Sequence, residues 1–119
     1  MSRYQAWYGR EMWAVDYLSA AQDEYGKLPG KERAAIYNAV KKLQALGPDL
    51  PYPHSGDARG AAGLRELRPR GGHCAWRPLY RRTGARFIIA AIAPDGESDP
   101  RGFSQACRRA LRRLAELEE

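Results

Sequence analysis

The sequence has little of what would place it in a membrane, a secretory route or a metal-binding class. It holds no run of 18 apolar residues, so no segment reads as a membrane-spanning helix. The opening "MSRYQAWYGREMW" has no apolar stretch before a small-residue cleavage site and does not read as a secretory signal. Two cysteines, Cys74 and Cys107, are too few and too far apart for a disulfide framework or a zinc site. Repeats and low-complexity linkers are missing as well. A reduced, cytoplasmic protein without metal or cofactor is expected, with residues 1–119 forming one domain around a modest core.

Lysine is also scarce, at four against sixteen arginines. G+C-rich codons explain such a ratio, but not its segregation. Residues 1–58 carry seven basic and seven acidic side chains, whereas residues 59–119 carry thirteen and seven, and all thirteen are arginine. The net charge of +6 therefore sits in the second half. A planar guanidinium fork matches phosphate bidentately, so this half points to nucleic-acid contact.

Hydropathy patterning gives the elements. "WAVDYL" (13–18) alternates Trp13, Val15 and Tyr17 against Asp16, a short strand. Ser19 and Gln22 match a capping box, followed by Ala21, Tyr25 and Leu28 at helical spacing until Gly26 and Pro29. "GKERAAIYNAVKKLQALGP" sets Ile36, Val40 and Leu43 on one stripe and stops at Gly47-Pro48. The short Pro29-Gly30 link predicts an antiparallel helical hairpin. Residues 48–62, with three prolines and two glycines, are expected to form a loop. Strands are expected at 64–70, 73–82 and 85–93, the last apolar on both faces as in a central strand. Asp99-Pro100 reads as a cap with proline at the first helical position, opening a helix whose apolar face runs from Phe103 to Leu117. Arg108, Arg109, Arg112 and Arg113 cover its other face. The expected fold is α+β: a small antiparallel sheet with an N-terminal helical hairpin on one face and a C-terminal helix.

"GLRELRPRGGHCAWRPLY" (63–80) then holds one carboxylate among four arginines in a hairpin. If Gly71-Gly72 is a two-residue turn, Glu66 lies opposite Arg77 and Leu64 opposite Leu79. Glu66, Arg68 and Arg77 then share one face, and Leu67, Trp76, Tyr80, Phe87 and Ile89 the other, apolar face. Pro69 and Pro78 lack N–H donors, so a bulge shifts this register if one forms. The bland reading of Glu66 and Arg77 is an ion pair that holds the hairpin. His73 at the tip and His54 in the loop are weaker candidates for a general base, and Tyr80 reads as core. Asp95, Glu97 and Asp99 lack the spacing of a calcium loop.

The ordered set "W-x-V", "L-x-x-L-G-P", "G-L-x-E-L-R", "W-R-x-L-Y" and an apolar strand resembles the RelE/ParE toxin superfamily, and most of all its phage-derived HigB-like branch. The resemblance spans about residues 13–110. It implies a toxin of a type II toxin–antitoxin pair that cleaves mRNA on the ribosome and is silenced by a helix-turn-helix antitoxin. It implies metal-free attack of a ribose 2′-hydroxyl on the adjacent phosphate, with Arg77, Arg68 and Glu66 as catalytic residues and Arg70, Arg81, Arg82 and Arg109 on the RNA. One departure stands out. Relatives follow the last strand with two lysines, where this chain has Pro94 and Asp95 within "IAPDGESDP". Carboxylates there repel a phosphodiester by about 1 kcal/mol each at moderate screening. The alternative is therefore a ParE-like gyrase inhibitor, or a degenerate toxin that acts by binding a partner.

Overall fold

The strand "RFIIAAIA" buries side chains on both faces, and the molecule is layered around it. The computed structural model describes residues 12–118. In chain order these form β1 (Ala14–Tyr17), α1 (Ser19–Gly26), α2 (Gly30–Leu46), β2 (Ser55–Asp57), β3 (Arg65–Leu67), β4 (Trp76–Thr83), β5 (Arg86–Pro94) and α3 (Pro100–Leu117). The sheet order is β1-β5-β4-β3-β2. All neighbours are antiparallel except β1 and β5, which run parallel with Ala14 beside Arg86. The helical hairpin carries the chain from β1 to the far edge of the sheet. The last strand then returns beside β1 in the same direction. The expected α+β fold is present, its antiparallel sheet closed at one edge by this single parallel pair.

Two apolar layers result. On one face α1 and α2 bring Ala21, Ile36 and Leu43 against Leu67, Tyr80, Phe87 and Ile89. On the other, α3 lays Phe103, Ala106, Ala110 and Leu114 on Leu79, Ala91 and Ala93. Alanines on both sides of this second layer bring α3 close to the sheet. The face expected to bear only Glu66, Arg68 and Arg77 is thus largely covered by a helix.

Other expectations fail locally. Ser19 and Gln22 form no capping box: Leu18 occupies the cap position and no side chain caps the helix. The 48–62 loop hides the edge strand β2, too short and too rich in turn residues to show period-two patterning. The Asp99 cap does form, its carboxylate accepting the Gly102 N–H at 2.9 Å.

Gly47 shows why "LGP" ends α2. Its φ is +57°, and a Cβ there would lie 2.4 Å from Nε1 of Trp13. Left-handed backbone and close approach both demand glycine. Gly47→Ala should therefore lower the urea midpoint by the equivalent of about 2 kcal/mol. An unchanged midpoint would remove this account of the Trp13 contact.

Candidate functional site

Arg77 is the most deeply buried cation among the described residues, with its side chain 2% exposed. It leaves β4 on the α3 side of the sheet and turns back toward the connection from β3. Its guanidinium donates to the carbonyls of Gly72 (3.0 Å), Trp76 (3.4 Å) and Cys74. Two carboxylates share the charge: Glu66 Oε1 lies 3.4 Å from Nε and Asp95 Oδ1 3.5 Å from Nη2. A buried guanidinium is tolerated when its charge and most of its donors are met in this way; Nε faces Glu66 as an ion pair but makes no hydrogen bond.

That arrangement explains the register. Glu66 pairs with Leu79 and Arg65 with Tyr80, so the strands are offset by two residues from the expected Glu66–Arg77 match. A two-residue offset preserves which face each side chain takes, because strand periodicity is two. Gly71-Gly72 is not a two-residue turn. The connection winds through a 3₁₀ turn at Pro69–Gly72, with Arg70 and Gly71 in the left-handed region. Pro69 withholds an N–H from the ladder, and the carbonyls released by the wider loop are those that Arg77 takes up. Glu66 and Arg77 still meet, diagonally rather than directly across.

Glu66 is half-buried, and burial raises its carboxyl above the usual range even though Arg68 and Arg77 pull it down. Asp95 adds to the upward push. Arg68 sits at the solvent side of this cluster, its Nη1 3.9 Å from Glu66 Oε1 and its guanidinium stacked 5.6 Å above the Tyr52 ring. Its Nε is buried without a hydrogen-bond partner. The structure thus brings Glu66, Arg68 and Arg77 together with Asp95. It leaves Arg68 as the one guanidinium of the cluster that reaches solvent.

The arginines expected on RNA are dispersed. Arg70 lies at the hairpin tip, 3.5 Å from the Lys31 carbonyl. Arg81 faces α3 and pairs with Glu118 at 3.6 Å. Arg82, at the other end of β4, covers the Trp13 ring at 4.9 Å. Arg109 is half-buried, with Nε 3.6 Å from Glu24 Oε2. His73 is exposed at the tip, and His54 is half-buried beside Arg68. Tyr80 is core, its hydroxyl 2.6 Å from Ser55 Oγ. Among the described residues no group of His, Cys, Asp or Glu is arranged to hold a metal ion. Burial raises both thiols, so neither Cys74 nor Cys107 is an activated nucleophile.

Glu24 is the ionic centre that patterning missed. Its carboxylate accepts from Arg113 Nη2 at 2.9 Å and from the Ile92 backbone N–H at 3.0 Å, while Arg113 also caps the Ala90 carbonyl. The signal was present: Glu24 stands three residues after Ala21 and four before Leu28, on the apolar stripe of its own helix.

Comparison with known proteins agrees with this architecture. The family described as "Phage derived protein Gp49-like (DUF891)" matches residues 23–93, more than half of the chain. No curated protein sequence matches it. Among solved structures, a free-state mutant of the E. coli toxin RelE aligns with TM-score 0.57 at 16% identity, covering 82% of this chain and 97% of that one. The isolated E. coli RelE toxin aligns at 0.55 and 16%, with the same coverage. RelE in an archaeal RelE–RelB complex from Pyrococcus horikoshii aligns at 0.53 and 17%, covering 71% and 97%. No helix among the described residues is long and apolar enough to cross a membrane. Carrying the RelE toxin fold, as its ordered motifs implied, the chain belongs to the phage-derived Gp49-like family.

Proposed function

We propose that this protein is the toxin of a type II toxin–antitoxin pair and cleaves RNA without a metal, through Glu66 and Arg68. The observation that carries this reading is Glu66 itself: a half-buried carboxyl of raised basicity, held between two guanidinium groups. A base is most useful when its pKa approaches the working pH. In the proposed step Glu66 takes the 2′-hydroxyl proton, O2′ bonds to phosphorus, and O5′ departs with a proton from solvent. With Glu66 ionised, the cluster of Glu66, Asp95, Arg68 and Arg77 is neutral. Once Glu66 holds the proton the cluster is singly positive, at the moment negative charge builds on the phosphorane. Arg68 contacts the phosphate. Arg77 acts as the scaffold cation that aims Glu66 and does not itself touch substrate.

Induced expression followed by mapping of new mRNA 5′ ends tests the reading. Wild-type protein should produce cuts, and Glu66→Gln or Arg68→Ala should reduce their rate about a hundredfold. Both side chains are partly solvent-facing, so both variants should fold.

A second reading has its own support in Asp95, which pairs with Arg77 at 3.5 Å where the family resemblance implies a lysine. A site neutralised in this way suits a partner-binding or gyrase-directed protein. Intact mRNA during growth arrest, with altered plasmid supercoiling or none, would select it. Either reading leaves an arginine-rich second half that suits an acidic antitoxin segment. A RelE–RelB complex is the solved precedent among the similar structures.

A further inference from the structure

On the opposite face of the sheet from Arg77, between α2 and the 50–54 segment, lies a cleft of about 190 Å³. Its polar lining is Asn38 and Lys42 from α2, His54, Arg68 and Arg70, over an apolar floor from α2 and β3. Among the described residues no carboxylate lines it. Tyr52 stands between two lining residues of the same segment, is 77% exposed, and carries the Arg68 guanidinium on its ring. We propose that this cleft binds a phosphate-bearing nucleotide of single-stranded RNA, with Lys42 and Arg70 on the phosphate and a base stacked at Tyr52.

Three observations carry the proposal. Of the three cations that converge here, Arg68 leans on Glu66 at 3.9 Å, whereas Lys42 and Arg70 lie in no ion pair among the described residues, so an anion is the ligand their field favours. Arg70 holds φ +55°, a left-handed conformation that side chains other than glycine and asparagine seldom adopt. Such strain is retained at functional positions, and Arg70 is one of the residues lining the cleft, its guanidinium 3.5 Å from the Lys31 carbonyl at the start of α2. An exposed tyrosine beside guanidinium groups is the arrangement that stacks bases of an unpaired strand. Size argues against a partner helix: a helix with its side chains is about 10 Å across. The cleft admits a ribose–phosphate unit instead. It is separate from the Glu66 cluster and shares only Arg68 with it.

The test is fluorescence anisotropy with a labelled adenosine octaribonucleotide, using full-length Glu66→Gln protein so that cleavage does not intervene. Failure of the cleavage reading therefore leaves this measurement unaffected. Lys42→Glu should weaken binding about tenfold and reduce the slope of log affinity against log salt by about 0.7, the value of one single-strand phosphate contact. Tyr52→Ala should weaken binding with the slope unchanged. Arg70→Gly should weaken binding while raising the melting temperature, which merely structural strain would not couple. Affinities within twofold of the parent for both Lys42→Glu and Arg70→Gly would overturn the proposal. So would displacement of the octamer by adenosine monophosphate or inorganic phosphate at equal concentration, which would mark a small-anion site. Stronger binding of an acidic peptide than of the octamer, abolished by Lys42→Glu, would reassign the cleft to a protein partner.

Discussion

Arg77→Ala should cost the protein about 4 kcal/mol and lower its melting temperature by on the order of 15 °C, measured by circular dichroism. The substitution strands two carboxylates, Glu66 and Asp95, near each other, and it frees the Gly72, Cys74 and Trp76 carbonyls in a buried turn. Breaking a buried pair from one side costs more than the pair is worth, because the partners remain. Lysine should not rescue it, since a single ammonium cannot span carbonyls and carboxylates that a planar fork reaches together. The two roles open to Arg77 forecast differently. A phosphate ligand on an open hairpin would lose activity with little change in melting. A fully folded, inactive Arg77→Ala protein would therefore return Arg77 to direct catalysis and remove its role in the turn.

Glu24→Ala should destabilise by about 3 kcal/mol at pH 7, because it unpairs the Ile92 N–H and leaves Arg113 and Arg109 facing each other. The deficit should vary with pH. Burial alone would raise the Glu24 carboxyl, but the Arg113 hydrogen bond, the Ile92 N–H and the charges of Arg113 and Arg109 together hold it below its usual range. A lowered folded-state pKa means that the unfolded chain takes up the proton first as pH falls. The stability Glu24 supplies is thus complete above the ordinary carboxylate range and disappears as pH drops through the folded-state value. Urea midpoints of wild type and Glu24→Ala should converge between about pH 5 and pH 2. Parallel curves over that range would exclude Glu24 as the acid-sensitive tie. Glu66 works in the opposite sense, its raised carboxyl favouring the folded state slightly as acid is added.

Much of the fold was legible because its signals are local. Periodicity located three helices and the strands β1, β4 and β5, and the double-faced apolar run of β5 announced burial on both sides. Side-chain parity around Glu66 survived a wrong register, since the error was an even number of residues. The misses depend on contacts distant in sequence. The turn at Pro69–Gly72 is shaped by Arg77 reaching back to its carbonyls, which no window of the turn itself reveals. β2 is a strand only because β3 lies beside it. Arg109 and Arg113 read from the sequence only as part of the polar face of the last helix, and Glu24 did not stand out, because their pairing needs two helices far apart in the chain to come together. Grouping Glu66, Arg68 and Arg77 was within reach of alternation and family resemblance. The burial of Arg77 was not, because it depends on the path of α3 across the sheet.

The parallel pairing of β1 with β5 has a consequence for how the chain acquires its shape. Ala14 and Arg86 are neighbours in the sheet but seventy-two residues apart along the chain. Contacts of that separation form late, after local pairings have lowered the entropy of closing the loop. The β4–β5 hairpin, joined by the tight turn at Gly84, has no such obstacle and is the natural nucleus. During synthesis, then, β1 leaves the ribosome first yet has no strand to pair with until β5 has followed it out. A sheet built this way stays open at its β5 position until the last strand has been made, so the order of synthesis and the order of assembly differ.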